Sequence, residues 1–354
     1  MAVTSGSSPE QTDATPKGPA PRRAPGGAGL SFAKRFLTLR EGSIIVVTLI
    51  TIVYFASSTS SFVSGDHLKA LLPYFAPIAI MAAGQVFVMT LGEIDLSIGA
   101  MYLFTPFMFI KLSGAGLPLV PSVIVALLIA MLLGAFNGFA VAYVGIASFV
   151  TTLGMLFVLD GVTLVISHSE QVTTPGTSVV GVTSFSQVFG AGTYSELFWA
   201  LGIVIILQLV LSFTRWGIYT VAAGGNRLGA AEAGINVRLV LVRNFMLCSV
   251  TAGFVGILEA VRSSSATPDP SGSNSILLTA IAAVIIGGTL MTGGSGTIVG
   301  ALLGALFLGV LNFGLVLKSV NANYLDLYLG LAILVAMTFN VYVARVRRGS
   351  GRGG

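Results

Sequence analysis

The sequence contains few of the residues from which proteins build disulfides, metal sites and charged surfaces. It has one cysteine, two histidines and 9% charged residues. The single cysteine, Cys248, excludes an intrachain disulfide and a cysteine-based metal cluster. His67 and His168 lie far apart and no H-E-x-x-H sequence is present, which argues against an intramembrane zinc protease. We therefore expect no metal site, and Cys248 is predicted to be a small core residue.

The sequence also lacks a nucleotide-binding motif. No G-x-x-x-x-G-K-[ST] sequence occurs, and the glycine-rich stretch GGSGTIVG that begins at Gly293 has no lysine. This chain alone is therefore not expected to hydrolyse ATP, and we predict no catalytic residues and no bound cofactor.

Hydrophobic residues are abundant instead. They make up 55% of the chain, and the mean hydropathy of +0.93 is far above that of an ordinary soluble domain. These values predict an all-α, polytopic membrane protein in contact with the lipid bilayer. The net charge of +5 does not indicate a nucleic-acid partner, because the cations sit in tails and one loop without base-stacking aromatic residues among them. Membrane orientation explains the cations better.

The distribution of apolar residues divides the chain into three regions. Residues 1–41 are predicted to form a disordered cytoplasmic tail that is rich in Pro, Gly, Ser and Ala and has no signal-peptide core. The tail ends in an amphipathic helix over residues 30–41, which is expected to lie along the bilayer surface. Residues 42–343 are predicted to form the transmembrane domain, and residues 344–354 a basic cytoplasmic tail.

A membrane-spanning helix needs roughly 20 apolar residues, and the sequence contains ten such candidates. They lie at about 43–62, 71–91, 97–112, 119–143, 147–167, 196–214, 239–262, 276–291, 296–317 and 323–343. The third and eighth candidates are short and flanked by glycine, so either one could be a broken or re-entrant helix.

The basic residues predict the orientation of these spans. With both termini in the cytoplasm, every Lys and Arg lies inside except Lys69, Lys111, Arg262 and Lys318. This asymmetry agrees with the positive-inside rule. It places the loops 168–195 and 263–275 outside the membrane, and the loop that contains residues 215–238 inside.

Small residues recur at helical spacing within the spans, as at Gly296, Gly300 and Gly304. Residues of this size let neighbouring helices approach closely. The segments Gly92 to Gly99 and Gly293 to Gly300 each open a span with a glycine-bounded turn. That similarity hints at two related halves.

The stretch 215–243, which begins with the central loop, residues 215–238, concentrates four arginines against one carboxylate, Glu232. Residues 224–226, Gly-Gly-Asn, are predicted to form a turn, followed by a short helix over 228–233 that Gly234 closes. A compact helix on the basic side of a membrane protein can serve as a docking surface. The alternative is a solvated loop whose arginines only fix the orientation.

The sequence LGEIDLSIGA, residues 91–100, is the strongest polar signal within the membrane region. Glu93 and Asp95 precede Ser97 at the start of a span, where an ionised group would cost about 2.5–3.5 kcal/mol at the bilayer centre. Asp95 is explained by capping, because its side chain can satisfy the free N–H groups at a helix start. Glu93 has no such explanation and is the better candidate for a gate or a solute path.

Other polar residues fall within the predicted spans: Gln85, Asn137, Thr151, Thr152, Asp160, Glu259, Asn312 and Asp326. The two asparagines are predicted either to form hydrogen bonds between helices or to line a path. The three carboxylates in this group fall near span ends, so they are predicted to be solvated interface residues.

Four motifs are similar, in order and spacing, to those of a known family. They are GEIDLSIGA at 92–100, ASFVTTLGML at 147–156, AAGGNRLGAAEAGINV at 222–237 and AIAAVIIGGTLMTGGSGTIVGALLGALFLGVLN at 280–312. They resemble the permease subunits of bacterial ABC sugar importers of the ribose/xylose/arabinose type, within the wider branched-chain amino acid and ribose permease family. The resemblance covers nearly all of residues 43–343.

The resemblance implies an assembly in the bacterial inner membrane. Two permease copies, expected to be a homodimer, would work with ABC ATPase subunits that hold ATP and Mg and with an extracytoplasmic sugar-binding protein. The solute would be a pentose, a hexose or a polyol. Import of nucleosides or branched-chain amino acids on the same architecture is an alternative. A further alternative is an ion-coupled secondary transporter or a channel, for which Glu93 and Asp95 are the obvious ion ligands.

The resemblance and the polar pattern together give two sets of candidate site residues. The residues expected to couple to the ATPase are Gly225, Asn226, Arg227, Gly229, Ala231, Glu232 and Gly234. The residues expected along the substrate pathway are Gln85, Glu93, Asp95, Ser97, Asn137, Phe149, Thr152 and Asn312. The chain departs from the family pattern at Glu93, where a glycine is usual, near Ala147, where a proline is usual, and at 277–279, where a Glu-Leu-Asp run is usual.

Overall fold

The structure is a computed structural model that describes residues 41–59, 62–176, 180–192 and 194–350. The predicted disordered tail and nearly all of the predicted amphipathic helix lie outside the described residues. So do the last four residues of the predicted basic tail.

The described residues form thirteen α-helices and two short strands. In chain order they are α1 Gly42–Ser58, α2 Gly65–Thr90, α3 Ile98–Gly114, α4 Leu119–Phe139, α5 Ser148–Ser167, β1 Val172–Thr173, α6 Val182–Ser186, α7 Ser195–Phe213, α8 Arg215–Gly225, α9 Arg227–Glu232, α10 Val237–Arg262, β2 Ser265–Ala266, α11 Pro270–Ile286, α12 Ile298–Leu317 and α13 Leu325–Ser350. A π-helical turn extends α4 over Ala140–Val144, another follows α6 over Gln187–Ala191, and a 3₁₀ turn, Ala322–Tyr324, precedes α13.

Each of the ten predicted spans contains an apolar helix. Among the described residues, seven helices are long and apolar enough to cross a membrane, and α1, α3 and α11 are shorter apolar helices. The prediction of an all-α polytopic membrane protein is therefore confirmed. α1 ends at Ser58, before the predicted end of its span. α13 continues to Ser350, because neither glycine nor proline interrupts the sequence between residues 331 and 348, so residues 344–350 of the predicted tail are helical.

The eighth span is short, as predicted, but its helix begins six residues earlier and ends five residues earlier than the sequence indicated. α11 begins at Pro270, and the Asp269 side chain accepts a hydrogen bond from the Ser271 N–H over 3.0 Å. An aspartate N-cap followed by proline is a strong start signal. Because the helix begins at Pro270, the outer loop that was predicted over 263–275 is shorter than expected.

The sequence analysis did not predict α8. Thr214 caps it by accepting a hydrogen bond from the Gly217 N–H, and the Trp216 indole N–H donates to Asn244 Oδ1 over 2.6 Å. The predicted glycine turn is wrong, because Gly224 and Gly225 are the last residues of α8. The glycine content suggested a loop, since glycine disfavours helices, but tertiary anchoring outweighs that propensity.

Two of the predicted outer loops pair with each other. β1 and β2 run antiparallel, with Val172 opposite Ala266 and Thr173 opposite Ser265. The pairing places both loops at one end of the helical domain, which agrees with the alternation that the ten spans predict.

α2 and α10 form the centre of the domain, and the remaining apolar helices surround them. Their most apolar windows are 89% and 72% buried, whereas those of α4 and α7 are 33% and 28% buried. α10 packs against α2, α3 and α4, and α12 packs against α2. Apolar side chains on the outer helices, such as Leu132, Phe157 and Phe198, are more than half exposed and form the surface available to lipid or to another subunit.

Close helix packing depends on the small residues noted in the sequence. A Cβ on Gly304 would lie 2.2 Å from the Ala283 carbonyl oxygen, and one on Gly256 would lie 2.1 Å from that of Tyr102. Such distances leave no room for a side chain. The predicted role of small residues in helix packing is confirmed.

Candidate functional site

The segment between α2 and α3, residues 91–97, is called the polar turn here. Gly92 has a φ of +76°, which a residue with a side chain rarely adopts. The turn is held by hydroxyl groups of α5. The Leu96 N–H donates to Thr152 Oγ1 over 3.0 Å, and the Ile94 N–H donates to Ser148 Oγ over 3.3 Å. Two side chains of α5 thus take the place of backbone partners that the turn does not have.

Asp95 lies at the centre of the polar turn and is fully buried. Its Oδ1 accepts hydrogen bonds from the Ser97 N–H over 2.9 Å and from the Ser97 hydroxyl over 2.6 Å. The N-cap of α3 is Ser97 and not Asp95. The capping interpretation of Asp95 is therefore wrong in position, because the carboxylate closes a local turn two residues before the N-cap Ser97.

Asn137 of α4 joins this arrangement from a distant part of the chain. Its Nδ2 donates to Ser97 Oγ over 2.9 Å. We call Asp95, Ser97 and Asn137 the buried network. Asp95 Oδ2 and Asn137 Oδ1 are buried and find no donor within the described part of the chain. A buried acceptor without a partner costs about 1–3 kcal/mol, and it can accept a hydrogen bond from a solute hydroxyl or from water.

Gln85 extends the polar interior along α2. It is fully buried, and its Oε1 accepts a hydrogen bond from the Cys248 thiol over 3.0 Å. Cys248 is itself fully buried, as the sequence predicted. The Gln85 amide nitrogen has no acceptor among the described residues, so this side chain also keeps unused hydrogen-bonding capacity.

The helix α9 agrees with the predicted helix to within one residue at each end. Asn226 caps its start by accepting a hydrogen bond from the Gly229 N–H over 3.0 Å. Gly234 has a φ of +84°, and the Ile235 N–H then reaches back to the Ala230 carbonyl over 3.0 Å. These are the stop contacts expected of a glycine after a helix.

One face of α9 is open to solvent. Ala230 is buried on the inner face of α9, whereas Leu228 is 71% exposed and Ala231 and Glu232 are also exposed. The structure thus places a compact helix, with an apolar side chain directed outward, between α8 and α10.

The arginines of the central loop have distinct contacts. The guanidinium of Arg238 lies 5.3 Å from the ring centre of Tyr143, and that of Arg243 lies 4.8 Å from the ring centre of Trp216. Arg227 instead forms an ion pair with Glu93 of the polar turn. A residue predicted for the pathway and a residue predicted for coupling therefore meet.

Glycine backbones bring three segments together beside this ion pair. We call Gly92, Gly224, Gly293 and Gly294 the glycine junction. The Gly294 N–H donates to the Thr90 carbonyl over 2.8 Å, and a Cβ on Gly224 would lie only 1.8 Å from the same oxygen. A Cβ on Gly293 would lie 2.8 Å from the Gly92 nitrogen. The two glycine-bounded turns noted in the sequence thus pack on each other and on the end of α8.

Two predicted pathway residues lie apart from these contacts. Phe149 is 55% exposed on α5, and Asn312 is half-buried on α12.

Asp160, predicted to be solvated, is only 7% exposed, so that prediction is wrong. Sequence reasoning also missed Asn244, whose Nδ2 donates to the Phe87 carbonyl over 3.1 Å. An amide inside an apolar run was the available signal.

A second polar region lies at the opposite end of the domain, beside β2. A cavity of about 320 Å³ is bordered by Tyr102, Glu259, Ser263, Asp269 and Ser273, among other residues. Glu259 pairs with Arg262, which also lies 3.1 Å from Glu196. Carboxylates, hydroxyls and the two aromatic rings of Tyr102 and Phe107 around such a cavity suit a small solute with several hydroxyl groups.

A family profile described as branched-chain amino acid transport system, permease component, matches residues 68–338. The chain is 31% identical to the xylose/arabinose import permease protein of Sulfolobus acidocaldarius, covering 89% of this chain and 88% of that protein. It is 34% identical to the ribose import permease protein of Escherichia coli K12, covering 86% and 94%. The D-allose transport system permease protein of the same bacterium is 28% identical, covering 86% and 93%. No solved structure has a significant match to the chain.

Proposed function

Because the chain belongs to the family of branched-chain amino acid transport system permease components, we propose that it is the membrane subunit of an ABC importer for a small sugar or polyol. It is a transport component and not an enzyme. The relatives that support a sugar as the solute are named for ribose, xylose/arabinose and D-allose, and the first two are at least 30% identical over most of this chain.

The assembly that we propose contains two copies of this chain in the cytoplasmic membrane. ABC ATPase subunits bind ATP and Mg on the cytoplasmic side, and an extracytoplasmic binding protein delivers the sugar. This chain binds no cofactor of its own. With both termini in the cytoplasm, α9 and the polar turn face the ATPase, and the cavity beside β2 faces the binding protein. The charge asymmetry of the sequence supports this orientation.

The observation that carries the ATP-driven mechanism is the exposure of α9. Its Leu228 side chain is directed into solvent, while its buried Ala230 and its caps hold the helix in place. A rigid helix with an exposed leucine can enter an apolar groove of a partner. Since α8 precedes it and the long helix α10 follows it, a movement of the partner would reach two packed helices at once.

The buried network suits the solute that we propose. Asp95 Oδ2 and Asn137 Oδ1 are acceptors without donors in the described structure, and the Gln85 amide is a donor without an acceptor. Sugar hydroxyls both donate and accept hydrogen bonds, so they can satisfy groups of either kind. The pathway residues Thr152 and Ser97 lie in the same set of contacts.

The identity of the solute is tested by measuring uptake into cells that contain this chain, its ATPase and its binding protein. Radiolabelled ribose, xylose, arabinose and allose are compared with leucine and uridine. We expect at least one of the sugars to accumulate in an ATP-dependent manner, and leucine and uridine not to accumulate. Accumulation of leucine or uridine alone would contradict the sugar assignment.

The docking role of α9 is tested at Leu228, because this exposed side chain can change without disturbing the helix. Leu228→Asp is expected to weaken co-purification of the ATPase by about tenfold, in the range found for a central apolar contact of an interface. Leu228→Met keeps an apolar side chain and is the matched control. Equal recovery of the ATPase with both variants would rule out docking through this residue.

A further inference from the structure

The ion pair between Glu93 and Arg227 joins two segments that lie 134 residues apart in the chain. The side chain of Glu93 is 12% exposed and that of Arg227 is 48% exposed. The same guanidinium nitrogen also donates to the Leu91 carbonyl oxygen over 3.1 Å. One arginine at the start of α9 thus holds the polar turn at two points, and one of them is a largely buried carboxylate.

The contacts beside this ion pair are of a different physical kind. At the glycine junction, the end of α8 touches the Thr90 carbonyl and the turn around Gly293 by close backbone packing. The contact between Gly224 and Thr90 is steric, so it resists approach strongly but resists separation hardly at all. The ion pair and the hydrogen bond to Leu91 resist separation, because each loses its attraction when the groups move apart.

The polar turn is in turn attached to the interior of the protein. Asp95 and Ser97 belong to the buried network with Asn137 of α4. The backbone of Ile94 and Leu96 is held by hydroxyls of α5. A displacement of Glu93 therefore acts on hydrogen bonds to two further helices, α4 and α5.

We propose that Arg227 and Glu93 form a tether that transmits outward movement of α9 to the polar turn and so repositions the buried network during transport. Close packing at the glycine junction transmits a push from α8 to the polar turn. The ion pair adds the opposite capability, because it transmits a pull from α9. Both residues are then positioning residues and not solute ligands. This inference rests on the proposed function, because it takes α9 as the helix that the ATPase moves.

The test uses the complete transporter, with ATPase and binding protein, and the single variants Glu93→Gln and Arg227→Gln. We expect the maximal rate of sugar uptake to fall about tenfold in each, within the range of coupling found between residues in direct contact. The half-saturating sugar concentration should change less than about twofold. A residue that takes part in the conformational step, and does not touch the sugar, changes the maximal rate but leaves the affinity for sugar nearly unchanged. ATPase co-purification should remain as in the unmodified protein for Glu93→Gln, because Glu93 lies outside the docking helix α9 and its side chain is largely buried.

The reversed pair, Glu93→Arg with Arg227→Glu, keeps the two opposite charges in contact. It should recover a large part of the uptake rate that either single charge reversal removes. Asp66→Asn is the matched control, since Asp66 forms an exposed ion pair with Lys69 on α2. This variant should transport at the unmodified rate.

Three results would overturn the tether. Normal uptake rates in both single variants would show that the contact is dispensable. If Glu93→Gln raised the half-saturating sugar concentration and left the maximal uptake rate unchanged, Glu93 would be a solute ligand and not a positioning residue. Losses in the reversed pair as large as the two single reversals combined would show that the residues do not act together. Failure of the proposed function has another signature, namely ATPase binding that Leu228→Asp leaves unchanged.

Discussion

Asn137 of α4 donates a hydrogen bond to the Ser97 hydroxyl over 2.9 Å, although 40 residues separate the two in the sequence. The Ser97 hydroxyl in turn donates a hydrogen bond to Asp95 Oδ1 over 2.6 Å, so one hydroxyl is both an acceptor and a donor in this buried network. Asp95 and Asn137, the two outer members of this series of hydrogen bonds, are fully buried. The start of α3 is therefore fixed by side chains and not only by its own backbone.

Removal of this hydroxyl should destabilise the protein. Ser97→Ala takes a donor from Asp95 and an acceptor from Asn137, and both groups would remain buried without that partner. We expect a loss of about 1–3 kcal/mol in the free energy of unfolding, measured as a lower Tm of the detergent-purified protein. Ser113→Ala is the control, because that hydroxyl is half-buried and bonds only to a carbonyl of its own helix. Equal Tm values for the two variants would contradict the importance of the buried network.

The glycine junction gives a second prediction about packing. Gly224→Ala would place a Cβ 1.8 Å from the Thr90 carbonyl oxygen, so α8 must move away from the polar turn. We expect a loss of about 1–3 kcal/mol in stability, as for overpacked cores, together with impaired uptake. At Gly202 of α7 an added Cβ meets nothing within 4 Å. Gly202→Ala should therefore leave stability unchanged or raise it, and the reverse order of the two variants would contradict the packing.

The helices that the sequence predicted are those whose apolar runs are long. Hydrophobicity alone locates an apolar helix at each of the ten predicted positions, and seven of these helices among the described residues are long enough to cross a membrane. The predicted helix boundaries are less accurate where a capping residue, and not the apolar content, determines where a helix begins. α11 begins at Pro270 within a polar stretch because Asp269 caps it, and hydropathy does not detect a capped helix start.

Helix α8 shows why local propensity was insufficient. Its sequence contains several glycines, which suggested a turn, but the helix is anchored by the Trp216 indole bonded to Asn244. That contact spans 28 residues, and no local pattern reports it. Long-range packing therefore decides the conformation of this segment.

The candidate site was predicted in part. Asp95, Ser97, Asn137 and Thr152 were chosen for being polar in apolar surroundings, and the structure brings all four together. The same criterion selected Asn312, which lies elsewhere on α12. Polarity within a span identifies groups that need a partner, but it does not say which groups become partners. The partner of Glu93 depended on the tertiary fold alone.

The orientation of the chain can be measured by labelling introduced cysteines. Cys248 is fully buried, so the unmodified chain provides a background without a reactive thiol. Glu170→Cys in the loop after α5 should react with a membrane-impermeant maleimide in intact cells. Ala233→Cys at the end of α9 should react only after the cells are permeabilised, because the positive-inside rule places that loop in the cytoplasm. The opposite pattern at either position would show that the orientation is wrong.

The pairing of β1 with β2 allows the fold and the orientation to be tested together. Thr173 lies opposite Ser265, and the Thr174 N–H donates to the Ser264 carbonyl over 3.1 Å one step along the ladder. Residues directly opposite each other in an antiparallel pair have Cα atoms about 4.5–5.5 Å apart, within the range that a disulfide can bridge. We expect Thr173→Cys with Ser265→Cys to form an intrachain disulfide without added oxidant, because the extracytoplasmic side is oxidising. The measurement counts free thiols in the denatured protein before and after reduction, and each single variant serves as a control. A disulfide that forms only after an oxidant is added to permeabilised cells would support the pairing but place the loops in the cytoplasm. If none formed even then, the two loops would not be paired.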